Sequence, residues 1–160
     1  MVQDEATCVF DSPVGPLLAR VQAGVLTEIS FFRYGRSASV AIEDETLNAV
    51  RAQLGEYFDG KRRRFELPLL LNGPTFYRRV WQALCDIPYG TTISYGQLAK
   101  AVGEPDAARA VGAANGANPI AIIVPCHRVI GADGDLVGYG GGLERKRTLL
   151  ELEAGRLRLF

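Results

Sequence analysis

Cys126 and His127 stand side by side in Pro125-Cys126-His127-Arg128-Val129, directly after the apolar run Ile120-Ala121-Ile122-Ile123-Val124, and His127 is the only histidine in the chain. A thiol becomes a strong nucleophile on losing its proton, and an imidazole is the usual neutral-pH base for that step. Pro125 fixes its own φ and restricts Val124, so the backbone that presents the thiol is stiff. The plainer alternative is a structural cysteine closing a buried strand, with an incidental histidine beside it. The choice between them depends on what the rest of the chain places around the pair.

The 160 residues are 48% hydrophobic and 22% charged, an ordinary globular balance. No run of about 18 apolar residues is present, so no transmembrane helix is expected. Met1-Val2-Gln3-Asp4-Glu5 lacks the charged and apolar regions of a secretory signal. The cysteines, Cys8, Cys85 and Cys126, are odd in number and widely spaced, with no C-x-x-C pair. Neither a zinc site nor a disulfide framework is expected from that pattern, and a reducing, cytoplasmic setting fits it. Net charge is zero, which argues against tight nucleic-acid binding through bulk charge. Up to Asn72, however, there are 8 basic and 10 acidic residues, and from Gly73 onward 10 basic and 8 acidic. A polyanion would meet the second half.

The first part of the chain reads as strands and turns. Thr7–Phe10, Leu17–Val21 and Val25–Phe32 are short apolar strands, separated by Ser12-Pro13-Val14-Gly15-Pro16 and by a hairpin at Gln22-Ala23-Gly24. Leu47, Val50, Leu54, Tyr57 and Phe58 fall at helical spacing between Glu43 and Asp59. Lys61-Arg62-Arg63-Arg64 reads as a solvated loop. Phe65–Leu71 reads as a further strand, and Asn72-Gly73-Pro74 as the domain boundary, giving domains 1–72 and 73–160. Beyond it the chain turns helical. A helix is expected from an N-cap at Thr75 to about Asp86, and a second opens at Ser94. A third runs from Asp106 to about Gly116 after the Gly103-Glu104-Pro105 turn, so the last two form a helix-turn-helix. In that third helix only Arg109 and Val111 carry substantial side chains. Such a lean helix can pack tightly in a core, or press into a DNA groove with Arg109 projecting.

The second half resembles the O6-alkylguanine-DNA alkyltransferase family. The matching elements, in order, are Phe76-x-x-x-Val80-Trp81, Ile87-Pro88-Tyr89-Gly90, Ser94-Tyr95, Ala108-Arg109-Ala110-Val111-Gly112, Asn118-Pro119, Pro125-Cys126-His127-Arg128-Val129-Ile130 and Gly138-Tyr139-Gly140-Gly141-Gly142-Leu143. The first 72 residues match only in outline. The resemblance implies an α/β fold: a small ribonuclease-H-like antiparallel sheet with a helix, then a mainly helical domain carrying the helix-turn-helix and the cysteine. It implies DNA repair by irreversible, stoichiometric transfer of an alkyl group from O6 of guanine, and less efficiently O4 of thymine, in duplex DNA to the protein's own cysteine. No cofactor and no metal are used. The implied partner is double-stranded DNA bound through its minor groove by a monomer, with cooperative assembly left open and nucleoid association in a bacterium.

The same resemblance implies roles residue by residue. Cys126 accepts the alkyl group, and His127 acts through a water as its base. Glu153 orients His127, although by residue type alone Glu153 is a solvent-facing helix acid and Glu151 competes with it. Asn118 braces the turn before the cysteine. Tyr95 contacts the target base, Arg109 enters the duplex stack, and Val129 offers backbone contacts to the flipped base. Tyr139 and the glycines from Gly140 to Gly142 form a wall of the pocket. Arg128, with Arg78, Arg79 and Lys100, is a phosphate contact or solvated surface. The human member has a serine where this chain has Gly140 and a proline where it has Ala121. Two other classes remain at this point: a multiple-turnover cysteine hydrolase using Cys126, His127 and Glu153, and a helix-turn-helix regulator with a sensing thiol.

Overall fold

Apolar residues alternate along the first strands to bury one face, while the other mixes buried Leu18 and Thr7 with the charge at Arg20. In the computed structural model, which describes residues 5–32 and 43–155, β1 (Glu5–Phe10), β2 (Leu17–Gln22) and β3 (Val25–Phe31) form an antiparallel meander with β2 in the centre. Leu17, Ala19, Val21, Leu26 and Ile29 are buried. On the opposite face, Arg20 of β2 pairs with Glu5 of β1 at 2.8 Å and with Glu28 of β3 at 3.1 Å. Gln22 pairs with Val25, and the two residues between them have positive φ, 50° at Ala23 and 79° at Gly24. That geometry matches the right-handed twist of a tight hairpin. Helix α1 (Glu45–Phe58) packs on this sheet through Leu47, Val50 and Leu54. It is capped by Asp44, whose carboxylate accepts from the Leu47 amide at 3.0 Å. The expected strand at Phe65–Leu71 is not formed. Only Leu69 pairs, in an isolated parallel bridge with Leu26, because Pro68 has no amide to extend the ladder.

One compact unit of the chain ends at Leu70 and the other begins at Leu71. The second unit contains α2 (Thr75–Leu84), β4 (Ile93–Ser94), α3 (Tyr95–Ala101), α4 (Ala108–Gly116), a short 3-10 turn (Cys126–Arg128), β5 (Val129–Ile130) and α5 (Leu143–Glu153). Val80, Trp81 and Leu84 bury one face of α2, each contributing about 1.5–3 kcal/mol. The Trp81 indole also donates to the Ala114 carbonyl at 2.8 Å, fixing α2 against α4. A Cβ on Gly73 would lie 2.7 Å from the Trp81 ring, so the boundary glycine is what lets the chain pass there. Thr75 is not the cap of α2. The cap position is Pro74, extended at φ −57° and ψ 151°, with its carbonyl already accepting from Arg78.

Ser94 caps α3 with a reciprocal pair: its hydroxyl accepts from the Gln97 amide, and the Gln97 side chain accepts from the Ser94 amide. Gly103, at φ 81°, and the bond from the Glu104 amide to the Ala99 carbonyl close α3. The Arg79 guanidinium holds the Val102 carbonyl at the same turn. Helix α4 starts two residues later than its sequence suggests, because Glu104–Ala107 closes a separate turn first.

The apolar run before the cysteine is not a strand either. The Ile123 amide donates to the Ala121 carbonyl at 2.8 Å around Ile122, which has φ 71°. The Cys126 amide donates to the Val124 carbonyl at 2.8 Å around Pro125, at φ −82° and ψ 64°. These are γ-turns of opposite hand. Positive φ at a β-branched residue costs roughly 1–3 kcal/mol, offset here by complete burial of Ile120, Ile122 and Val124.

Candidate active site

Asn118 holds the strained segment at both ends. Its carbonyl oxygen accepts from the Ile120 amide at 3.0 Å and its amide nitrogen donates to the Val124 carbonyl at 2.8 Å. The loop is thereby clamped across the residues that turn the chain, and Cys126 follows at the start of the 3-10 turn. Cys126 is 6% exposed. Burial pushes its thiol up, while the Asn118 amide and the Lys146 charge pull it down without overcoming burial. The thiol is therefore protonated at rest and needs a base.

His127 is fully buried beside it. Its Nε2 lies 2.7 Å from Glu153 Oε2. Burial works to raise the Glu153 carboxyl, but hydrogen bonds and charge from His127 and Arg128 outweigh it and hold the group well below the usual carboxylate range. An ionised carboxylate only accepts, so Nε2 carries the proton. Nδ1, which has no hydrogen-bond partner among the described residues, keeps its lone pair. Burial also depresses the His127 pKa, against the opposing pull of Glu153. The result is a neutral imidazole with a basic nitrogen free to act. Glu151, the competing acid, has no such placement.

Arg128 corrects an expectation. It neither reaches a phosphate nor lies in solvent. It is 5% exposed, its guanidinium donates to both oxygens of Glu153 at 2.8 and 3.0 Å, and its remaining arm donates to the Ile87 carbonyl at 2.7 Å. The Tyr89 ring lies under the guanidinium, 5.7 Å from centroid to carbon. The Gly90 amide, at φ 77°, donates to Glu153 Oε1 at 3.2 Å. Ile87-Pro88-Tyr89-Gly90 is thus the wall of a buried carboxylate network.

Lys146 is the group that sequence reasoning missed. It is fully buried on α5, and its ammonium donates to the carbonyls of Val129 at 2.6 Å, Val137 at 3.0 Å and Gly138 at 3.3 Å. The one available signal was periodicity: Lys146, Leu149 and Glu153 share a helix face. Lys146 ties β5 to the Val137–Gly138 loop, and Val137 also accepts from the Tyr95 hydroxyl at 3.0 Å. Lys146→Met should leave those carbonyls without a donor and lower stability by about 2–3 kcal/mol, read as a shift of the urea midpoint at unchanged slope. A midpoint equal to wild type would contradict that role.

Tyr95 is half-buried. Burial and the nearby Cys126 charge raise its phenol, with Asn115 opposing. Tyr139 is pushed further up by burial, and the Cys126 charge adds to it. Val129 is buried in β5, paired in parallel with Ile93 of β4. Gly140 is exposed, with the Gly116 carbonyl 4.0 Å from where a Cβ would sit. Arg109 is exposed on α4 with Ala108, Ala110, Ala113 and Gly116, while Val111, Ala114 and Asn115 face inward. The structure therefore brings Cys126, His127, Glu153, Asn118 and Tyr95 together, and leaves Arg109 on the outer face of the helix-turn-helix. Among the described residues no helix is long and apolar enough to cross a membrane.

A helix-turn-helix whose second helix bonds, through Asn115, to the backbone carbonyl of a buried cysteine that adjoins its base defines a class of protein that carries cysteine chemistry to DNA. Two family models match it: the ribonuclease-like domain of 6-O-methylguanine DNA methyltransferase over residues 7–71, and the DNA-binding domain of the same family over residues 75–155. The methylated-DNA–protein-cysteine methyltransferase of Mycobacterium tuberculosis is 52% identical over 150 residues, covering 92% of this chain and 91% of that protein. Its counterpart in Methanosarcina barkeri is 45% identical over 154 residues, covering 94% and 98%. The crystal structure of Mycobacterium tuberculosis OGT in complex with DNA superposes with a TM-score of 0.86 at 50% identity, covering 94% of this chain and 93% of that one. The chain belongs to the 6-O-methylguanine DNA methyltransferase family. That membership displaces the hydrolase and regulator alternatives.

Proposed function

We infer that the protein repairs DNA by transferring an alkyl group to its own cysteine, with Cys126 as the acceptor and O6-alkylguanine in duplex DNA as the substrate. The observation that carries this reading is the line of buried groups from thiol to arginine: Cys126, neutral His127 with Nδ1 unpartnered among the described residues, ionised Glu153, Arg128. His127 Nδ1 takes the thiol proton through one water. The sulfur then attacks the alkyl carbon, the C–S bond forms, the C–O6 bond breaks, and its electron pair leaves on the guanine. Tyr95, whose hydroxyl rests on the Val137 carbonyl, turns from that partner to donate a hydrogen bond to the departing base. The product is a neutral thioether with no leaving group that water could displace, so each molecule reacts once.

A base inside a duplex hides its O6 from a thiol that is itself buried, so the nucleotide must be extruded. The exposed face of α4 supports that step. Alanines and a glycine allow close approach to the minor groove, and Arg109 supplies a planar cation that stacks where the base has left. Tyr139 and Gly140 line the wall opposite, with backbone contacts from Val129. Arg109→Ala should keep its rate with free O6-methylguanine and lose about 10²-fold on a methylated duplex, if stacking and orphan-base contacts contribute about 3 kcal/mol to extrusion. Rates on the two substrates, measured in single-turnover experiments, check this. Equal losses on both would make Arg109 a structural residue.

A further inference from the structure

Asn115 lies on the inward face of α4 and is 4% exposed. Its amide nitrogen donates to the Cys126 carbonyl at 3.3 Å. That contact fixes which way the side chain points, since the reverse orientation would set oxygen against oxygen. Its Oδ1 then has no hydrogen-bond partner among the described residues. A buried carbonyl oxygen left without a donor is costly, and an inward-facing helix position could have been filled by an apolar residue at no such cost. The side chain that carries this oxygen lies beside Tyr95, one of the groups assigned to the reacting base. Asn115 is close enough to Tyr95 to act on its phenol, and Gly112, one turn earlier on α4, brings the backbone within 3.8 Å of the Tyr95 ring when extended by a Cβ.

An unpaired acceptor calls for an N–H donor on the ligand. Alkylation at O6 removes the hydrogen from guanine N1, so the exocyclic 2-amino group is the only N–H donor the lesion base retains. O4-alkylthymine retains none. We propose that Asn115 Oδ1 accepts a hydrogen bond from the 2-amino group of the extruded O6-alkylguanine, making Asn115 a residue that selects this lesion over alkylated bases without that amine. The proposal rests on the alkyl-transfer reading above and adds to it the edge of the base that is read.

The test compares duplexes carrying O6-methylguanine, O6-methylhypoxanthine (the same base without the amine) and O4-methylthymine, with the wild-type protein, Asn115→Leu and Asn115→Ala. Wild type should react faster with O6-methylguanine than with O6-methylhypoxanthine. That ratio should fall by roughly tenfold in either variant, the effect of one hydrogen bond to a buried acceptor, and the preference for O6-methylguanine over O4-methylthymine should shrink with it. Variants that slow both purines equally would assign Asn115 a structural role through the Cys126 carbonyl and overturn the proposal. So would a wild-type protein indifferent to the amine, a comparison that needs no variant to fold. A wild-type protein that takes methyl from none of the three would instead overturn the alkyl-transfer reading beneath it.

Discussion

Cys126→Ala should leave the second unit folded and accept no alkyl group at all, while Cys8→Ala and Cys85→Ala should transfer as wild type does. The three thiols differ in surroundings rather than in kind. Desolvation raises all three, even though Cys85, unlike Cys8 and Cys126, is exposed at the surface. Cys8 is buried in the sheet, with the Arg51 charge opposing burial, and the Asp86 carboxylate adds to desolvation at Cys85. Neither adjoins an imidazole. Cys126 alone combines a neighbouring base with an amide and an ammonium that favour the thiolate. Thermal melting establishes that each variant folds, and labelled-methyl transfer reads the activity. Residual transfer in Cys126→Ala would mean that another nucleophile serves.

Glu153→Gln should cost both stability and rate. The substitution keeps the shape and removes the charge that Arg128 and His127 share, leaving a buried guanidinium without its counter-ion, at about 3–5 kcal/mol. In the fraction that folds, a neutral amide no longer forces the proton onto His127 Nε2, and loss of the correct tautomer lowers general-base catalysis by about 10²–10⁴-fold. The pH dependence of stability follows from the same group. Glu153 is held below the usual carboxylate range when folded, so its ionised form stabilises the native state at pH values above the unfolded value of roughly 4.3. That contribution is lost as pH falls from there toward the folded pKa. Wild type should lose stability through this window more steeply than Glu153→Gln, measured by urea unfolding at a series of pH values. Parallel curves would place the carboxylate network outside the stability of this unit.

The parts of this site that were legible in the sequence are those whose residue types are unusual where they stand. A lone histidine after a cysteine and a proline, and a helix of alanines with one arginine, stand out without any knowledge of packing. Buried charge does not. Arg128 and Lys146 look like surface residues, because nothing in a single sequence distinguishes a solvated cation from one whose donors all meet carbonyls and carboxylates inside the fold. Glu153 depended on resemblance for the same reason, and Asn115 passed as one more small polar residue on a lean helix. In the fold, helices α1 and α3 followed from apolar spacing and capping residues. The runs Phe65–Leu71 and Ile120–Val124 misled because apolar β-branched composition marks burial as readily as it marks strands. Pro68 in one case and the turns at Ile122 and Pro125 in the other decide against a ladder.

The central claim is that the alkyl group ends on the sulfur of Cys126 and stays there. The direct measurement is to react excess duplex DNA bearing radiolabelled O6-methylguanine with the protein, count the label bound per molecule, and locate it by proteolysis and mass spectrometry. The site predicts that label stops at one equivalent and lies on the peptide containing Cys126 as S-methylcysteine. Continued turnover, or label on any other residue, would contradict it.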